Sequence, residues 1–389
     1  SGTSNTIFGK NAGASLDAGS NYNTFIGENV SDAAMNDALG NTGVGYNVLG
    51  SLTTGDYNTV MGRGSAEGLT TGAQNTVFGN SAFSSATGAE SYCVLVGQGA
   101  GYALNNTGAN GTVAIGTEAL TALTSGAGNV AMGYQAGSIN QTGSNNTYVG
   151  YQSGLGHVDD RNVSANTGFG YKALTAIKGG DSNTAIGSDA GEAITSGGQN
   201  VCVGNNAGDA ITTGGANTCI GNDTDAAATV ANQIAIGNSA VTDGANKGRW
   251  GNSSVSTNNI QTDWTVDSDR RIKDDIKDSD LGLSFINLLK PKTFIKKHPA
   301  DYPEPLLEKR YKSGGANYDD DKNEIIRDEF EEKVWNGLIA QEVKESMDSL
   351  GVDFSGWGEE NNGKQGVTYS TLVMPLIKAV QELSQQVED

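Results

Sequence analysis

The sequence predicts a mainly β protein. A parallel β-roll or β-solenoid of about 14 coils covers residues 1–241, a connector covers 242–267, and a smaller α/β domain over 268–389 ends in a coiled-coil helix. Three observations carry that prediction. The phrase Asn-Thr-x-φ-Gly, with φ apolar, recurs 14 times at intervals of 16 to 20 residues. Of the 56 glycines, 47 precede residue 268, whereas all 5 prolines (Pro291, Pro299, Pro303, Pro305 and Pro375) follow it. Val373, Leu376, Val380, Leu383 and Val387 repeat with alternating spacings of three and four.

The repeat comes first. Its glycines run from Gly9, Gly27 and Gly45 to Gly204, Gly221 and Gly237. The residue before each Gly is apolar in all 14 copies, and the residue three before is always Thr, Val or Ile. Four before, 11 copies carry Asn; three after, nine carry Ala. Positions one and three before the Gly share a face of a strand, because side chains alternate with period two. Their apolar, β-branched character predicts that this face packs inward. The Gly permits a turn that a side chain would resist, and the small residue beyond it fits a tight corner. A unit this short cannot bury its own strand, so neighbouring units must stack.

Stacking in register puts like on like at roughly 4.8 Å per coil, giving a rod of about 65 Å. Asn above Asn predicts a side-chain amide ladder. Pro is excluded because it removes a hydrogen bond between rungs wherever it occurs. Cys202 and Cys219 occupy one column, one coil apart. They read as stacked small residues, with a disulfide as the alternative. With Cys93 the cysteine count is odd, no Cys-x-x-Cys pair occurs, and the two histidines, His157 and His298, are far apart. No metal ion and no cofactor is expected.

Charge and hydropathy exclude other classes. The net charge of −20 comprises −12 before residue 268 and −8 after it, which argues against a nucleic-acid partner. No stretch of about 18 apolar residues is present, so no membrane insertion is expected. Ser1-Gly2 reads as an expression remnant, so a missing leader carries no information.

Asn183-Thr-Ala-Ile-Gly-Ser-Asp-Ala-Gly191 and Asn129-Val-Ala-Met-Gly-Tyr-Gln-Ala-Gly137 resemble the head repeats of trimeric adhesins, and similar runs occur in phage tail-fibre shafts. The resemblance implies three parallel β-rolls packed side by side. Gly244–Asp267, polar and holding Trp250 and Trp264, reads as short strands or an extended connector.

In the last domain, Ser268-Asp-Arg-Arg-Ile-Lys273-Asp-Asp-Ile276 reads as a short helix, capped by Ser268 or Asp269 and anchored by Ile272 and Ile276. Phe285–Phe294, Gly337–Val343 and Val367–Leu383 follow. Taken in order, these segments resemble the intramolecular chaperone domain of phage tail spikes, endosialidases and neck appendages, which also occurs in a self-cleaving membrane-bound transcription factor. The resemblance implies a domain that trimerises the chain, helps the upstream β-structure fold, and cuts itself off. It implies Ser268 and Lys273 as the catalytic pair of a single-turnover serine endopeptidase, with the break between Ser268 and Asp269. Lys273 must be neutral to act as a base. A helix starting near Asp269, with Arg270 and Arg271, would disfavour its ammonium form and stabilise an oxyanion.

Attack by Ser268 on its own carbonyl would close a four-membered ring. Ser268 acting on a different chain, Lys273 working through water, and attack on the Asp267 carbonyl all stay open. The C-terminal seam, with Val and Leu alternating, favours a two-stranded coil in isolation; trimerisation is what the resemblance implies. The Tyr311–Asp321 stretch reads as an exposed loop whose Asp319–Asp321 run is solvated.

The combined expectation is a virion tail-fibre or tail-spike protein for host attachment. Its partners would be two further copies of itself and a host-surface receptor, a glycan or an outer-surface protein. The alternatives are a polysaccharide-degrading tail spike and a bacterial trimeric surface adhesin. A depolymerase would need two carboxylates facing one groove, and acids such as Asp189, Glu192 and Asp209 form no obvious pair.

Overall fold

A computed structural model describes residues 2–85, 88–105, 107–159, 162–255, 267–315, 317–330, 332–360 and 362–388. The chain divides into two compact units, Ser1–Asn252 and Ser253–Asp389.

In the first unit, fifteen described strands of three residues form one parallel sheet in sequence order, from Thr6–Phe8 to Gly248–Trp250. Each strand pairs in register with its successor, as in Thr184↔Val201, Ala185↔Cys202 and Ile186↔Val203. The sheet continues past Gly237: Ile234–Ile236 pairs with Gly248–Trp250, inside the stretch expected to be connector. Trp264 lies outside the described residues.

The chain closes each coil through left-handed backbone positions. Around Gly187, for example, Ser182, Asp189 and Gly191 have φ of 61°, 55° and 58°, and Gly187 itself 139°. The Gly column has a second cause. A Cβ on Gly187 would run into the backbone carbonyl of Gly204, one coil on. Both the turn and the close stacking therefore demand Gly.

The structure reverses one expectation: the strand face that points inward is the other one. In Thr184–Ile186 the central Ala185 is buried while Ile186 is 42% exposed, and the same pattern holds in strand after strand. The inward column, two before each Gly, holds Phe25, Gly43, Val60, Leu95, Ala131, Tyr148 and Cys202. Positions one and three before the Gly face outward, leaving Met61, Met132, Phe169 and Ile220 exposed. The physical reason is the alternation itself. The Asn four before the Gly is buried, so the residue two before shares its side.

The interior is slender, and its packing is compensatory. Tyr148 is fully buried because Gly168 on the next strand leaves room; a Cβ there would come within 3.1 Å of its ring. Behind the strand lie the buried column three after the Gly, such as Ala136 and Ala190, and a further column of Leu52, Leu69, Leu123 and Ile194.

The buried Asn ladder is present. Asn183 Nδ2 donates to Asn166 Oδ1 at 3.1 Å and to the Gly197 carbonyl at 2.9 Å. Its Oδ1 accepts from the backbone N–H and the Nδ2 of Asn200, both at 3.0 Å. Cys202 and Cys219 are register partners and are not joined by a disulfide. Burial pushes the Cys202 thiol up to about 12.

In the second unit, helix α1 (Leu283–Leu288) precedes strand Lys292–Ile295, which pairs antiparallel with Val334–Gly337. Helix α2 (Ala340–Leu350) ends at Gly351, a left-handed C-cap with φ 65°. A hairpin of Trp357–Glu359 and Gln365–Val367 leads to helix α3 (Val373–Glu388). Phe285 of α1, Val343 and Met347 of α2, and Phe354 form the core, with the two Phe rings 5.3 Å apart. Helix α3 buries Pro375 and Ala379, and Glu382 accepts from the Leu283 N–H at 2.7 Å. The seam of Val373, Leu376, Val380, Leu383 and Val387 is exposed in the single chain.

Tyr311–Asp321 differs from the expected loop. Tyr311 is fully buried, and Tyr318–Asp319 pairs with Glu324–Ile325 in a short hairpin. No described helix is long and apolar enough to cross a membrane.

Candidate active site

The segment Ser268–Lys273 is exposed and built around one tight turn. The expected short helix is instead a single 3-10 turn, Arg270–Ile272. Ile272 and Ile276 are exposed at 66% and 56%, so they anchor nothing within this chain. Without that apolar anchorage a helix of this length has no tertiary support. A single turn also lacks the aligned peptides that would place a helix dipole on an oxyanion.

Asp269 organises the turn. Its carboxylate accepts the Arg271 N–H at 2.9 Å and the Arg271 guanidinium at 3.1 and 2.6 Å. The guanidinium bond, followed by the backbone bond, holds the Asp269 carboxyl below its ordinary value. The same pairing raises Arg271. Asp269 thereby occupies the positive charge of Arg271, which was expected to act on Lys273.

Beyond the turn, Lys273 is extended, with φ −119° and ψ 141°. Its Nζ donates to Ser268 Oγ at 2.6 Å. The two expected site residues are therefore in hydrogen-bond contact, brought together by the turn and not by a helix. That arrangement can pass a proton from a serine hydroxyl to an amine once the amine is neutral.

Residues 268–352 match the family model described as chaperone of endosialidase. The match begins at Ser268, the residue that holds Lys273, and ends two residues after α2. The matched segment follows a long parallel β-solenoid, an arrangement consistent with a tail fibre or spike that carries a chaperone domain. The matched family is one of peptidases. No curated protein and no solved structure gives a significant match.

The chaperone domain also holds a buried polar cluster that the sequence did not reveal. Arg310, 4% exposed, donates to Glu308 at 2.8 Å and to Asp328 at 2.6 Å. Tyr311 donates its hydroxyl to Asp328, and His298 Nε2 lies 3.1 Å from the Asp328 carbonyl. Burial opposes ionisation of Asp328, but the bonds from Tyr311 and Arg310 prevail and lower its pKa. Its members lie up to 30 residues apart with no recurrent spacing, which hid them. Among the described residues, no group of three or more His, Cys, Asp or Glu side chains could hold a metal ion.

Proposed function

We propose that this chain is a homotrimeric virion tail-fibre or tail-spike protein for host attachment. Its C-terminal domain would bring three chains into register and then release itself by cleavage between Ser268 and Asp269. The observation that carries the reading is a chaperone-of-endosialidase domain beginning at Ser268, after fifteen stacked parallel strands.

A stack of this kind needs such help. Parallel strands join only across whole coils, fold slowly, and expose unpaired edges meanwhile. Tethering three C-termini raises their effective concentration and sets a common register. The outward apolar columns of the solenoid and the exposed seam of α3 supply surfaces for self-association. Cleavage then removes the assembly aid and leaves a kinetically trapped shaft.

In the cleavage step, neutral Lys273 takes the proton of Ser268 Oγ, and the oxygen attacks the Ser268 carbonyl carbon of a second chain. The C–N bond to Asp269 breaks, the amine leaves with the proton from Lys273, and water hydrolyses the resulting ester. Attack in trans avoids the four-membered ring that attack on its own carbonyl would need.

The attachment reading is tested with fluorescently labelled shaft, residues 1–268, released from the folded full chain and applied to a panel of bacterial strains. Saturable binding to the surface of some strains is expected. Binding to none would contradict attachment.

A further inference from the structure

The solenoid carries one aromatic column that its folding does not require. Two residues before strands Thr24–Ile26, Thr59–Met61 and Val94–Val96 stand Tyr22, Tyr57 and Tyr92. Gly40 and Gln74 fill the same position on the intervening coils. Backbone bonds keep the column in register: Gly40 N–H donates to the Asn21 carbonyl at 3.0 Å, and Tyr57 N–H to the Leu39 carbonyl at 2.8 Å.

All three tyrosines are left-handed, with φ of 62°, 56° and 64°. That conformation is a genuine outlier for a bulky residue, and Gly or Asn adopts it with less strain. Every coil turns left-handed at this position, and later ones place smaller or more flexible residues there, among them Gly128, Asn145, Ala165, Ser182 and Gln199. The rings do not repay the strain by packing, since they are 70%, 60% and 63% exposed. The corner needs a left-handed backbone but not a ring, so an exposed ring kept in that costly position points to function.

The geometry suits a flat, extended ligand. The Tyr57 ring lies against the backbone of Gly40, where a Cβ would come within 2.7 Å of its Cδ1 and 2.9 Å of its Cε1. Gly40 thus gives the ring a bed while most of the ring remains open to solvent. Successive tyrosines are two coils apart, about 10 Å along the rod. Tyr134, Tyr151 and Tyr171 make a contrast: they stack on one another at 5.3 and 5.4 Å, so their faces are occupied.

We infer that Tyr22, Tyr57 and Tyr92 form a binding line for an extended neutral polysaccharide, each ring stacking on every second sugar. The C–H groups on one face of a pyranose meet the electron-rich face of a ring, and two linked pyranoses span a length comparable to the ring spacing. Charge selects a neutral polymer. Residues 20–97 hold one basic side chain, Arg63, against six acidic ones, which repels acidic glycans. The inference rests on the attachment reading and names the class of receptor.

The test uses the full chain on an array of linear neutral and acidic oligosaccharides, with the same bacterial panel alongside. The triple variant Tyr22→Asn, Tyr57→Asn, Tyr92→Asn removes the rings and relieves the left-handed strain. It is expected to keep the assembly mass, to melt no lower than the parent, and to lose neutral-glycan binding by about tenfold per ring. Tyr57→Phe should retain binding. Undiminished glycan binding by the triple variant overturns the inference. So does a lower melting temperature or a smaller assembly, which would make the rings packing or subunit contacts. A parent that adheres to bacteria but to no neutral oligosaccharide also overturns it and leaves the attachment reading standing. A parent that binds neither overturns both.

Discussion

Lys273 Nζ donates to Ser268 Oγ over 2.6 Å, although only one 3-10 turn, Arg270–Ile272, lies between them. A contact spanning five residues would normally be credited to an α-helix. Here Asp269 does that work, capping the turn through the Arg271 N–H and clamping the Arg271 guanidinium. The pair is exposed and local, so its geometry draws on nothing buried in the chaperone domain.

The Asn ladder makes the shaft sensitive to single deletions. Asn183→Ala removes two donated side-chain bonds, orphans the buried Asn200 N–H and leaves the Asn200 amide its bond to the Gly214 carbonyl. Each unsatisfied buried polar group costs about 1–3 kcal/mol. Differential scanning calorimetry of the shaft should show a melting temperature several degrees lower. An unchanged melt would mean that the ladder contributes little.

Glu90 makes part of the shaft pH-sensitive. Its carboxylate is buried, and neither oxygen has a hydrogen-bond partner among the described residues. Burial raises its pKa above the ordinary 4.5. The folded state therefore favours the protonated acid. Its stabilising contribution is full below about pH 4.5 and is lost as pH rises through the raised folded value. Glu90→Gln should melt higher than the parent near pH 8, with the difference shrinking towards pH 4. A difference independent of pH would contradict the assignment.

The outward columns should report on self-association. Phe169→Glu with Ile186→Glu puts charges on two adjacent exposed positions whose backbone pairing is unaffected. Light scattering of the parent should give a trimer of the 40.0 kDa chain, or of its shaft after cleavage. The double variant should give smaller species. An unchanged trimer would remove this face from the interface.

Much of the solenoid was legible because like stacks on like. Gly9 to Gly237, the Asn column and the missing prolines each restate one backbone constraint. The facing of the strand was not read correctly, because uniform apolar character at Phe169, Ile186 and Ile220 looks like a core signal. The true inner column looks less regular because a thin interior is shared: Tyr148 is admitted by Gly168, and Phe25 sits beside Gly43. The buried Asn held the decisive clue, since Asn183 and Ala185 must share a side. The left-handed corners were hidden because residues as different as Ser182 and Asp189 occupy them. At the site, the five-residue spacing of Ser268 and Lys273 was visible, but the turn joining them was not. A helix there needed Ile272 and Ile276 to be buried, and both are exposed.

Self-cleavage at Ser268 is the central claim, and denaturing electrophoresis of freshly folded full chain tests it most directly. The parent should resolve into fragments of 268 and 121 residues. Ser268→Ala should leave one band of 389 residues. Lys273→Arg should do the same, because a guanidinium stays charged and cannot take the serine proton. A single full-length band from folded parent, or fragments that persist in both variants, would contradict the account.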